Sequence, residues 1–351
     1  MTSRERVLTA FAHREPDRVP AWCGASPDFW AAAKRRLGVD DEGLKIRFGD
    51  DFRRVAARYA GPDLALSPGA TWKSPFGIER QGIGYGQPLS HPLEHAASVR
   101  DIQDYPWPDP EWMDVSHIRE DAMRWSSQYA ILGGDWSPFW HDAIDFVGMD
   151  RLYFLMYDHP EAAELLFEKI TDFYAAVSLR MFEAAGSEID IFFIGNDFGS
   201  QAGPLLGLDL FERFCLPSLK RLIDLGHRFS KKVMLHCCGG FRPLIPAMIR
   251  DGLDAVHALQ PSAVGMEPEG LKRDFGDRLV LNGAIDSHHV LIEGTPESVR
   301  EATLHTLRIL APGGGYIAGA SHDWILPETP VENVLAMFDA IQEYGKGRQD
   351  G

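Results

Sequence analysis

An imidazole and two thiols stand side by side in Lys231-Lys232-Val233-Met234-Leu235-His236-Cys237-Cys238-Gly239-Gly240. Imidazole nitrogen and thiolate sulfur are ligands for a borderline-soft metal such as zinc. In extended chain, alternate side chains share a side, so His236 and Cys238 point together and Cys237 points away. Plain packing is the competing reading, because free cysteine is among the most buried residue types. Two ligands do not make a site, and the case for a metal depends on what else converges there.

The elements around this stretch give it a position. The apolar run over 233–235 predicts a buried strand, and Arg242-Pro243 begins a helix with proline near its start. Side chains at the C-terminal end of such a strand lie where α/β folds bind ligands. The same unit recurs along the chain. Strands are predicted at 130–134, 189–194, 232–236, 254–259, 278–283 and 314–319. They alternate with helices near 160–185, 208–229, 242–251, 267–275, 296–310 and 330–344, and with one running into Tyr157. With a first strand at 19–22 and one further strand not located, the count is about eight, the number of a TIM barrel. The fold class read from the sequence is therefore α/β, a distorted (β/α)8 barrel in a single domain over 1–351. Residues 60–112, rich in Gly, Pro and Trp, are a hairpin and loop excursion packed over one end. No Gly-x-Gly-x-x-Gly links a strand to a helix, which argues against a doubly wound dinucleotide fold.

A barrel gathers the residues at its strand ends around one mouth. Those ends carry Asp197 and Gln201, then His236 and Cys238, then Gln260, then Asn282 and Asp286, and finally His322 and Asp323. His322 is the expected third ligand of a metal held by His236 and Cys238, and Asp197 a fourth ligand or a base. Trp136, Phe139 and Trp140 are expected to wall the pocket, and Gln201, Gln260, Asn282 and Asp286 to contact substrate. Asp50 and Asp51 follow a glycine and read on their own as a turn or a helix cap.

Charge and cysteine usage bound the partners. A net charge of −16 argues against nucleic acid, which needs a basic surface. The four cysteines, Cys23, Cys215, Cys237 and Cys238, are too sparse for a disulfide scaffold and suit a reducing compartment. No apolar run is long enough to span a bilayer, so no membrane partner and a cytoplasmic location are expected. A homodimer is compatible with all of this.

At these residues a family likeness becomes visible. Pro16-Asp17-Arg18-Val19-Pro20, Asn196-Asp197-Phe198-Gly199-Ser200-Gln201-Ala202-Gly203-Pro204, His236-Cys237-Cys238-Gly239, Asn282-Gly283-Ala284-Ile285-Asp286 and Leu326-Pro327-Glu328-Thr329-Pro330 carry it. Over nearly its whole length the chain resembles the uroporphyrinogen decarboxylase superfamily, which also contains zinc-dependent corrinoid methyltransferases. The resemblance implies a distorted (β/α)8 barrel. It matches Asp50 to the decarboxylases' central aspartate and His322 to their histidine near the last strand. Their arginine-rich substrate loop has no counterpart here, because no arginine lies between Trp22 and Lys34. Carboxylate-rich substrates need fixed guanidinium partners. The methyltransferase branch implies zinc on His236 and Cys238, with its distant cysteine replaced by His322. Such a ligand set leaves the metal cationic and favours Lewis-acid action on a substrate oxygen. No cobalamin-binding Asp-x-His-x-x-Gly occurs, so the corrinoid is expected on a separate small protein.

The leading expectation is thus a zinc-dependent methyltransferase that demethylates a small methoxylated or methylated compound toward a corrinoid carrier. Catalytic roles fall to Asp197, Asp50 and His322. The alternatives are a cofactor-free decarboxylase acting on uroporphyrinogen or a smaller acid, and a non-catalytic corrinoid- or porphyrin-binding protein.

Overall fold

A computed structural model describes residues 1–82 and 86–346. Residues 83–85, part of the glycine-rich segment of the excursion, and the last five residues of the expected domain lie outside the described residues.

A curled seven-stranded sheet runs in chain order, every neighbour parallel. Its strands are β1 (Phe52–Arg54), β2 (Ala130–Gly133), β3 (Ile191–Gly195), β4 (Lys232–His236), β5 (Ala255–Leu259), β6 (Val280–Ile285) and β7 (Tyr316–Ala320). The predicted strand at 19–22 shrinks to one residue, Ala21, which bridges in parallel to both Asp50 and Ala318 and so joins the two sheet edges. Pro20 explains the shortening: it has no N–H to give, though its carbonyl accepts from Ala318 at 2.8 Å. The result is the distorted (β/α)8 barrel. β1 is the strand missing from the sequence reading.

Buried Asp51 fastens the closure. Its carboxylate accepts from Arg6 at 2.7 Å, from Arg18 at 2.8 Å and from the Ala21 amide at 2.8 Å. Two guanidiniums and a backbone donor compensate the charge, which is what a buried carboxylate requires.

Alternation along the strands sorts the core into two layers. Phe52, Leu132, Phe193, Met234, Val280 and Ile317 fill the barrel with Trp22, and Val7 and Phe11 of helix Ser3–Phe11 join them. Val233, Leu235, Val256 and Leu281 face the helices instead. Helix Pro160–Ala185 buries Leu166, Phe167, Ile170, Phe173, Tyr174, Val177 and Met181, spaced three and four apart as one helical face. The helix expected to continue into Tyr157 breaks at Gly148, whose φ of 85° separates Phe139–Val147 from Met149–Asp158.

Within the excursion, Trp72–Lys73, Glu79–Gln81 and Gln87–Pro88 form a three-stranded antiparallel sheet. Arg80 is 1% exposed and pairs with Asp142 and Asp145 of helix Phe139–Val147. Tyr174 donates to the same Asp142. These contacts hold the hairpin against the barrel.

Candidate active site at the barrel mouth

β4 ends in the group that drew attention in the sequence. Met234 faces the barrel interior, so His236, two residues on, faces the mouth. The next residues leave the strand. Cys238 Sγ lies 3.3 Å from His236 Nε2. Cys237 turns into the core, where its sulfur accepts from the Phe198 amide at 3.3 Å. Burial pushes the Cys237 thiol well up. At Cys238 burial acts the same way, but the His236 ring and hydrogen bonds from His236 and His322 outweigh it and hold the thiol below its usual value.

Asp197 comes from the loop after β3. That loop lies against the loop after β4: Gly240 N donates to Ser200 O at 2.8 Å. The approach leaves no room for side chains, since a Cβ on Gly239, whose φ is 77°, would meet the Gly199 backbone at 2.5 Å. The Cys238 amide therefore reaches Asp197 Oδ1 at 2.7 Å, and the same oxygen stands 3.4 Å from His236 Nε2. Asp197 Oδ2 lies 3.4 Å from His141 Nε2. Burial would raise the Asp197 carboxyl, yet hydrogen bonds from His141 and His236 hold it far below the carboxylate range. On the far side of its ring, His236 Nδ1 meets His257 Nδ1 at 3.0 Å. With His236 Nδ1–H donating to His257 Nδ1, a metal could replace the proton that Nε2 otherwise directs at Asp197 and Cys238.

Donor atoms of Asp197, His236 and Cys238 all lie within 4.8 Å of one another. A tetrahedral zinc with bonds of about 2.0–2.3 Å holds its ligands about 3.3–3.8 Å apart. The 3.3 Å from His236 Nε2 to Cys238 Sγ and the 3.4 Å from His236 Nε2 to Asp197 Oδ1 fit that spacing. Sulfur, imidazole nitrogen and carboxylate oxygen are also the right donor types. Asp197, expected as a fourth ligand or base, belongs to this converging group, and His322, the expected third ligand, bonds the Cys238 sulfur beside it. His322 Nδ1 is taken up by the Trp324 backbone, 3.0 Å from its carbonyl, and this fixes the ring beside the thiol.

These groups open on a cavity of about 550 Å3, lined also by Arg54, Arg80, Gln87, Pro88, Trp136, Asp145, Asp323 and Trp324. The size is that of a small-molecule pocket. Trp136 forms a wall, its ring 5.4 Å from that of His236. Gly195 permits this, because a Cβ there would strike the indole at 1.9 Å.

Other expected site residues are elsewhere. Phe139 and Trp140 are fully buried and pack on Phe167 and Phe198, so they belong to the core and not to the pocket wall. Asn282 is fully buried inside the barrel, donating to Met234 Sδ at 3.6 Å, and does not line the cavity. Asp286 caps the following turn, accepting from His288 and His289 amides. Gln201 is exposed in a turn and does not line the cavity. Gln260 accepts from the Gly239 amide at 2.5 Å and supports the loop that carries Cys238. Asp50 opens on an adjoining cavity of about 180 Å3 with Cys23, Lys45 and Arg53, apart from the Asp197 cluster. Burial pushes its carboxyl up to about 7. Asp323, expected at the mouth, lines the cavity, whereas Arg54, His141 and His257 went unnoticed in the sequence.

Residues 91–344 match the family model described as Uroporphyrinogen decarboxylase (URO-D). The chain belongs to the uroporphyrinogen decarboxylase family. A uroporphyrinogen decarboxylase of Anaeromyxobacter sp. (strain Fw109-5) is 30% identical over 97% of this chain and 98% of its own. The Methylcobamide:CoM methyltransferase MtbA of Methanosarcina acetivorans is 22% identical over 98% of both chains. Against the uroporphyrinogen decarboxylase of Coxiella burnetii the identity is 26% over 200 residues, and the match spans half of that protein's length. Among solved structures, a methyltransferase from Methanosarcina mazei superposes with a TM-score of 0.67 over 98% of this chain and 99% of that one, at 20% identity. Members of the uroporphyrinogen decarboxylase family are thus enzymes named for two reactions, decarboxylation and methyl transfer. No helix among the described residues is long and apolar enough to cross a membrane.

Proposed function

We propose that this family member is a zinc-dependent methyltransferase. A methyl group would pass between a small methylated or methoxylated compound and a corrinoid held by a separate small protein. The observation that carries this reading is the convergence of Asp197, His236 and Cys238, whose donors all lie within 4.8 Å, with His236 Nε2 3.3 Å from the thiol and 3.4 Å from the carboxylate. Full-length similarity to a methylcobamide methyltransferase supports it. Zinc, when bound, supplies Lewis-acid activation of the group that gives or takes the methyl.

The chain's own residues do the rest. Cys238 and Asp197 present anionic donors, and His257 sets the ring of His236. His322 holds the thiolate form of Cys238 from the side. Trp136 excludes water from one wall. With Asp197 as a ligand beside Cys238, two anionic donors would balance a dication and weaken the charge-based preference for a substrate oxygen over a thiol. The free thiols of all four cysteines suit a reducing, cytoplasmic setting.

One observation favours decarboxylation as a second reading: Asp50 is retained, buried, with its carboxyl near neutrality. The absence of arginine between Trp22 and Lys34 weighs against a porphyrinogen clamp. One experiment separates the two. Zinc-loaded protein is incubated with cob(I)alamin and a panel of methoxylated compounds, and in parallel with uroporphyrinogen. Methyl transfer seen as loss of the cob(I)alamin spectrum supports the first reading. Carbon dioxide release from uroporphyrinogen by metal-free protein would replace it with the second.

A further inference from the structure

We propose that Arg54 is the docking point for a single carboxylate on the substrate, which makes the methyl-bearing compound a small organic acid. This rests on the methyltransferase reading for the reaction, but not for the binding.

β1 reads Phe52-Arg53-Arg54. Alternation sends Phe52 into the barrel and Arg53 outward, where it pairs with Glu42 at 2.5 Å. Arg54 turns back toward the mouth. It lines both the 550 Å3 cavity and the adjoining 180 Å3 cavity and stands at their junction. Protein surrounds it, yet the side chain stays accessible through the cavity.

Among the described residues, Arg54 makes no side-chain hydrogen bond and no ion pair. Its guanidinium lies over two aromatic faces, 5.2 Å from the Trp136 ring centre and 5.6 Å from that of Phe193. Those contacts fix the plane and leave the N–H edge unspent. Asp323 and Asp135 act on it only at a distance. Arg80, the other guanidinium on the cavity, is already committed to Asp142 and Asp145.

A planar fork of donors with no acceptor among the described residues, in a chain carrying net charge −16, is a receptor for an incoming anion. One uncommitted guanidinium among Asp323, Asp145 and Asp197 suits a monoanion. The indole walls suit an organic body. Trp136 neighbours both Arg54 and His236, so a small acid held at the fork would extend past that ring toward the cluster.

The test is calorimetric titration with 4-methoxybenzoate and methoxyacetate, each against its neutral amide. It uses wild type, Arg54→Gln and Arg54→Lys, with circular dichroism and zinc content measured on the same samples. The acids should bind at least about ten-fold more tightly than the amides, the scale of a charge-assisted bidentate contact. Arg54→Gln should abolish the preference and Arg54→Lys keep part of it. Equal binding of acid and amide by wild type, or a preference that survives in folded Arg54→Gln, overturns the proposal. Carboxylate preference in protein that takes up no zinc would leave Arg54 in place and remove only the metal-dependent reading.

Discussion

The Cys238 sulfur lies 3.3 Å from His236 Nε2, while Cys237, its chain neighbour, faces the opposite way into the core. Two adjacent thiols thus have different work. Cys238→Ser should lose bound zinc and activity together. Cys237→Ser should keep both and cost about 1–2 kcal/mol of stability, the order for burying a partly compensated hydroxyl. Metal content and denaturant titration of the two variants check this. Zinc lost from Cys237→Ser but kept by Cys238→Ser would reverse the assignment.

Asp197→Asn tests whether the carboxylate serves the reaction or the fold. The side chain is partly accessible in the cavity and packs no core. Loss of an anionic donor should weaken zinc binding and reduce turnover by at least about a hundred-fold, with a melting temperature within a few degrees of wild type. Full turnover with early melting would make Asp197 a structural residue.

Asp51 should behave in the opposite sense. Removing it takes the carboxylate from half-buried Arg18 and from the Ala21 amide and leaves buried Arg6 with Asp17, at the point where Ala21 closes the barrel. Asp51→Ala should cost about 3–5 kcal/mol. Urea unfolding measures it, and a loss below 1 kcal/mol would mean that the closure does not depend on this carboxylate.

How much of this could be read beforehand follows from side-chain geometry. The apolar runs of β3 to β7 announce themselves, and period-2 alternation places His236 with Cys238. β1 escapes because Phe52-Arg53-Arg54 carries two charges, one for Glu42 and one for the cavity, and so does not look like a strand. His141 escapes for a helical reason. It sits next to Trp140 but about 100° further round the helix, so the buried indole and the cavity-lining imidazole are neighbours in sequence only. Asp286 misleads because a polar residue after a strand serves equally well as a cap. His257 lies mid-strand, and only its register opposite His236 gives it meaning.

Asp50 gives a pH signature independent of the metal cluster. Burial raises its carboxyl from 3.8 to about 7 in the folded chain. The folded state then binds a proton that the unfolded state has released, so stability falls as pH rises from 4 toward 7 and stays lower above. Asp50→Asn cannot ionise. Relative to wild type it should gain stability across that window, by an amount on the order of a few kcal/mol. Urea titrations at pH 4, 5.5, 7 and 8 check the trend, and parallel curves for the two proteins would remove it.

Metal analysis of the purified chain bears most directly on the central claim. Inductively coupled plasma mass spectrometry should find about one zinc per chain after incubation with zinc and gel filtration. The same treatment should leave Cys238→Ser and His236→Ala without it. A folded wild-type chain that holds no zinc and gains none on addition would contradict the account, and so would zinc retained undiminished by both variants.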